Sequence, residues 1–226
     1  MRSSAASDVY KRQIPNNTKD RNNIQPGDMK LRDVNGDGKV TPEDQTVIGH
    51  GLPVHIGGFT NNFEYKGFDL SVFFQWSYGN DVINYNRYKL ENMTSRNSNL
   101  LASAKDHWTP RIDNGDGTYT EGNYTNYLCR VKGDIGNINT SRVVEDASFL
   151  RLKNVQLGYN FPVKLIKRLG ISSLRLYVSG QNLWTWTKYT GYDPEVSTRN
   201  SALTRGFDYS AYPKTTSYTF GVKLGL

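Results

Sequence analysis

The chain has 226 residues, 28 Lys plus Arg against 21 Asp plus Glu, and a net charge of +7. Its 12 % aromatic content excludes a disordered chain, and its one cysteine, Cys129, excludes a disulfide framework and every multi-cysteine metal site. No run reaches the roughly 18 apolar residues of a spanning helix, and the cations are too scattered for a nucleic-acid face, so no nucleic-acid partner is expected.

Residues 1–13 (MRSSAASDVYKRQ) match nothing downstream in character and lack the apolar stretch of an export signal. They resemble a translated adapter scar, which would leave the natural start of the protein upstream. Residues 14–54 form a polar segment that holds the sharpest motif of the chain. Asp33-x-Asn35-x-Asp37-Gly38-Lys39 followed by Asp44 has the spacing of a 12-residue calcium loop. Asp33, Asn35 and Asp37 would supply oxygens at positions 1, 3 and 5, the Lys39 carbonyl that at position 7, and Asp44 that at position 12. The spacing predicts a bound Ca²⁺, with an Asx-rich turn as the alternative. Asp113-Asn114-Gly115-Asp116-Gly117 lacks the later ligands and reads as a turn.

From residue 55 the periodicity becomes two. Gly57, Phe59, Asn61, Phe63 and Tyr65 share a face, Lys66-Gly67 makes a tight turn, and Phe68, Leu70, Val72, Phe74 and Trp76 share the face of the return strand. Residues 78–146 are a long insertion rich in Asn, Tyr, Ser and Gly, with a short helix predicted around 84–93. Alternation resumes with Val155, Leu157, Tyr159 and Phe161. Pro162 to Gly170 reads as a connector with one helical turn, followed by Leu174, Leu176, Val178 and Gly180 on one face. A second polar excursion covers 186–213, and Tyr218, Phe220, Val222 and Leu224 mark the last strand.

Five strands joined short, long, short, long fit either a piece of a transmembrane barrel or a soluble sandwich. The long insertions and the polar, Gly-rich inner faces favour the barrel. Five strands fall short of the roughly eight that a closed membrane barrel needs, so the fold expected is all-β and incomplete: antiparallel barrel strands with long outer loops. Trp76, Tyr78, Trp184, Trp186, Tyr189 and Tyr192 fall near the outer strand ends, as an interfacial girdle or as sugar-stacking rings. His50, His55 and His107 lack metal-ligand spacing, Asp193 and Glu195 make a weak acid pair, and no nucleophile elbow or phosphate loop occurs. No enzymatic activity is expected.

Several segments resemble SusC/RagA-type outer-membrane receptors. They are Pro26-Gly27-Asp28 with residues 33–49, Gly57 to Asn61, Tyr65 to Gln75, Ser148 to Val155 with Leu157-Gly158-Tyr159, Leu174 to Trp184, Gly191-Tyr192-Asp193-Pro194-Glu195, and Pro213 to Leu226. They occur in family order over 24–226, and Pro213 to Leu226 resembles the family's terminal strand. The resemblance implies a TonB-dependent importer of the Bacteroidetes outer membrane, a plugged barrel of roughly 22 strands. It also implies a SusD-like surface lipoprotein as partner, the TonB complex as energy source through a region absent here, and an oligosaccharide or peptide as cargo. The reading from another class is a secreted calcium-binding adhesion or dockerin-like module. Dockerins use two such loops, and only one full loop is present.

Overall fold

The computed structural model describes residues 16–17, 26–29, 31–93, 97, 99–124, 128–131, 140–195 and 206–225; residues 1–13 lie outside it. Two compact units emerge, residues 1–49 with 84–144, and residues 50–83 with 145–226.

The second unit is built on five long strands: β1 (His55–Tyr65), β2 (Phe68–Tyr78), β3 (Phe149–Asn160), β4 (Ser173–Thr187) and β5 (Ser217–Gly225). They lie side by side in chain order, β5-β4-β3-β2-β1, and every neighbouring pair is antiparallel. This is an up-and-down meander. Among the described residues it does not close, so β1 and β5 each leave one edge without a strand partner.

The turns follow from local chemistry. Lys66 and Gly67 both take positive φ, 46° and 90°, as a two-residue hairpin turn requires. A β-carbon on Gly67 would also lie 2.8 Å from the Asn160 carbonyl oxygen. Between β3 and β4 the helical turn α2 (Val163–Ile166) runs into a 3₁₀ turn, Lys167–Leu169, and stops at Gly170 in the left-handed conformation.

Register sorts the side chains into two faces. Trp76, Phe74, Val72, Leu70 and Phe68 of β2 stand opposite Leu150, Leu152, Val155, Leu157 and Tyr159 of β3. Trp186, Trp184, Gly180, Val178 and Leu176 of β4 continue the same rows. The β3 series changes from even to odd numbers because Lys153 is an extra, bulged residue between Leu152 and Asn154. Without the bulge, either Leu150 and Leu152 or Val155 and Leu157 would turn to the polar side. The periodicity of residues 154–161 predicts only the later half of this strand; the bulge adds Phe149 to Lys153. Opposite the bulge, Asn182 in β4 takes φ 51°, and its side-chain amide donates to the Thr215 carbonyl at 3.0 Å.

The apolar face is uncovered, and Phe63, Phe68, Phe220 and Val222 are all exposed. The opposite face carries Asp69, Ser71, Gln75, Arg151, Gln156, Gly158, Arg175, Ser179 and Thr219. A small buried cluster of Val82, Ala147 and Tyr189 lies among the loop segments of this unit.

The first unit holds residues 84–144 of the long insertion and residues 26–49. α1 (Tyr85–Leu90) is capped by Asn84, whose Oδ1 accepts the Arg87 amide, in the region where the sequence predicts a short helix. The buried Glu91 carboxylate accepts from Arg87, Arg142 at 3.0 Å and Ser103 at 3.1 Å, joining three segments of the insertion. Trp108 lies over Gly27, and Asp28 binds Arg130 at 2.5 Å.

Candidate functional site

Two ion clusters stand on the polar face of the sheet. The first lies beside the short turns. Asp69 accepts from Arg175 Nε at 3.1 Å, from a terminal nitrogen of the same guanidinium, and from Asn160 at 3.1 Å. Arg175 reaches Asp69 by crossing Gly158 of the intervening strand. A β-carbon at Gly158 would lie 2.6 Å from both the Arg175 and the Asp69 side chain, so glycine is what lets the pair span three strands.

The second cluster fastens a loop to the wall. Arg151 is 2 % exposed and donates to Thr185 at 2.9 Å, to Glu195 at 3.0 Å and to Asp193 at 2.5 Å. Lys153 and Lys214 complete the group around Glu195. Burial works against the charge on Asp193. The amide of Glu195, the Arg151 guanidinium and the amide of Lys214 together outweigh it and hold the carboxyl below its usual range. Asp193 and Glu195 are thus both engaged by one guanidinium. The sequence motif named these acids, but their partner was not legible, because Arg151 faces them only by virtue of the neighbouring bulge.

The calcium-type loop is held by its own amides. Asp33 accepts from Gly36 at 2.6 Å and Gly38 at 2.8 Å, and Asn35 accepts from Asp37 at 3.0 Å. Asp37 accepts from Lys39 at 2.8 Å, and Asp44 from Val34 at 2.8 Å and Thr41 at 2.7 Å. The Thr41 amide, then that of Val34, hold the Asp44 carboxyl below its ordinary value against the effect of burial, with Asn35 adding to them. Among the described residues no three His, Cys, Asp or Glu side chains converge as a cation site. The loop's oxygens have the calcium spacing, yet as folded they serve as amide acceptors.

The aromatic residues divide. Trp76 lies over Gly57 and donates from Nε1 to His55 Nδ1 at 3.1 Å, while Tyr78 stacks on His55 at 5.2 Å between centroids. Trp184 and Trp186, 6.5 Å apart, occupy the rows of Phe74 and Trp76 at the long-loop end of the sheet, and both are exposed. Tyr192 is exposed in the following loop. Tyr189 departs from the girdle expected of it. It is buried, its hydroxyl donates to Asp208 at 2.6 Å, and burial followed by that bond pushes its phenol pKa up. A ring enclosed this way is a loop anchor and offers no face to lipid or sugar.

No family model matches the chain. Curated relatives do. The chain is 36 % identical over 204 residues to TonB-dependent receptor P3 of Formosa agariphila, covering 88 % of this chain and 19 % of that protein. Over most of its length this chain is similar to TonB-dependent receptors of SusC/RagA type. TonB-dependent receptor P39 of the same organism is 34 % identical over 206 residues, 89 % of this chain and 19 % of that one. TonB-dependent receptor SusC of Bacteroides thetaiotaomicron is 26 % identical over 209 residues, 89 % of this chain and 18 % of that one. The solved RagAB peptide transporter superposes with a TM-score of 0.64 at 28 % identity, over 83 % of this chain and 19 % of the other. The RagAB importer in its closed-closed state gives 0.63 at 25 %, over 90 % and 20 %. The chain thus spans about a fifth of the length of its relatives. TonB-dependent receptors are outer-membrane proteins, and an open antiparallel sheet with an uncovered apolar face is consistent with a part of such a barrel.

Proposed function

We propose that this chain forms part of a TonB-dependent transporter that imports oligosaccharides or peptides together with a SusD-like surface lipoprotein. Energy would come from the inner membrane through TonB, and the wall would carry no reaction of its own. The observation that carries this is the five-stranded meander with one lipid-type face and one charged, hydrogen-bonding face, in a chain whose relatives are TonB-dependent receptors. The relative positions of the turns set an orientation. Lys66-Gly67 and 162–170 would face the periplasm, with residues 14–54, 78–146 and 186–213 outside the cell.

Gly115 lies in an exposed hairpin between Ile112–Asp113 and Tyr119–Thr120, with open space around it. A protease site inserted there in the full-length receptor should be cut on intact cells. Protection from external protease would contradict the orientation.

Calcium binding at 33–44 is the second part of the proposal. Its support is the spacing of oxygen donors; a filled site would need Asp33, Asp37 and Asp44 to turn toward one centre. Extracellular sites of this kind bind at about 10⁻⁴–10⁻³ M. Terbium luminescence of the full-length receptor should rise on titration, compete with calcium, and vanish in Asp33→Ala with Asp37→Ala. An unchanged signal in the double variant would leave the loop an amide-capped turn.

A further inference from the structure

The connector between β3 and β4 has a composition that the strands do not explain. From Ala147 to Tyr192 the chain carries seven Lys or Arg and no Asp or Glu. Arg151 and Lys153 are engaged by the loop acids, and Arg175 by Asp69. Lys164, Lys167 and Arg168, all within the connector, are exposed, and no ion pair involves them among the described residues.

The same turn exposes hydrocarbon. Ile166 is 3 % exposed and pins the connector down, whereas Val163 and Leu165 are 56 % and 68 % exposed. A helical turn this short has little stability of its own, so its shape depends on what it rests against. It leaves the sheet where the lipid-side band ends. Phe161, directly before Pro162, packs edge-on against Tyr159 at 4.9 Å, and Tyr159 packs on Phe68 at 4.5 Å. The connector therefore continues an apolar face that already meets lipid, and adds three free cations where headgroups begin.

We propose that residues 162–170 are an interfacial anchor for anionic phospholipid. Val163 and Leu165 enter the edge of the hydrocarbon, and Lys164, Lys167 and Arg168 bind headgroup phosphates of the leaflet at the short-turn end of the barrel. Aliphatic side chains next to basic ones are the pairing that holds amphipathic segments at a membrane surface. Each cation near an anionic surface strengthens binding by about fivefold, so three together give on the order of a hundredfold. The inference rests on the outer-membrane barrel reading and goes beyond it in naming a lipid and the residues that hold it.

The test uses the full-length receptor in nanodiscs of phosphatidylcholine, titrated with phosphatidylglycerol and read by native mass spectrometry of retained lipid. Wild type should hold phosphatidylglycerol on the order of a hundredfold more tightly than Lys164→Gln/Lys167→Gln/Arg168→Gln. Val163→Ser/Leu165→Ser, which keeps every charge, should weaken retention of both lipids alike. Inorganic phosphate should displace neither. Equal phosphatidylglycerol affinity in wild type and triple variant would overturn the proposal, as would release of the lipid by inorganic phosphate. A protein that co-purifies with wild type but not with the triple variant, at unchanged lipid affinity, would overturn it in favour of a protein-facing surface. Failure of wild type itself to enter nanodiscs would instead overturn the barrel reading, and the anchor with it.

Discussion

Arg151 shows how much of a loop can depend on one side chain. It is buried in the polar face and holds Asp193 and Glu195 at once, so its removal leaves the buried Asp193 carboxylate with the two backbone amides of Glu195 and Lys214 as donors. Arg151→Met in the full-length receptor should cost about 3–5 kcal/mol in unfolding stability. Arg151→Lys should recover little, because an ammonium cannot reach two carboxylates as a planar fork does. Arg151→Met combined with Asp193→Leu should restore part of the loss; equal loss in single and double variants would contradict the pairing. The pH dependence has a definite sign. The folded Asp193 pKa lies below its ordinary 3.8, so its contribution is full above that value and disappears as pH falls through the lowered one. Asp193→Asn should therefore flatten the acid limb of the melting profile below about pH 4 while leaving neutral pH the less stable for the lost charge pair. Tyr189 makes the same point from the other direction: aromatic and near a strand end, it reads as a girdle residue, and only the buried Asp208 beside it shows why it is not.

At the level of elements, alternation and turn chemistry made the sheet legible and the irregularities did not. Lys66-Gly67 announces its hairpin, and the even-numbered aromatics of β2 announce a face. The Lys153 bulge has no comparable signature, since Leu150-Arg151-Leu152-Lys153-Asn154 reads as alternation that simply fails in phase. That phase change is what carries Arg151 to the side of Asp193, so the loop cluster was hidden with it. Glycine at 158 has a visible reason only once three strands are paired, because the Asp69–Arg175 bridge passes above it. Gly158→Leu should push that bridge apart and cost about 1–3 kcal/mol in urea unfolding of the membrane-embedded receptor. Gly158→Leu made in an Asp69→Ala/Arg175→Ala background should cost clearly less; an identical penalty in both backgrounds would show that the bridge is not what the glycine serves.

The sheet of the second unit has two different sides. Rows of Phe, Leu, Val and Trp run across three strands on one side, and ion pairs tie strands together and fasten a loop on the other. That separation was readable from period two alone, but the same pattern would serve a soluble sandwich; exposure of the apolar face and kinship with TonB-dependent receptors decide for the membrane. The most direct test is a nitroxide scan of β2 in the full-length receptor in bilayers, with single labels from Leu70 to Gln75. Labels at 70, 72 and 74 should be accessible to oxygen, which concentrates in lipid, and labels at 71, 73 and 75 to a water-soluble nickel reagent. Equal accessibility at all six positions, or water access at 70, 72 and 74, would contradict a barrel wall with this face in lipid.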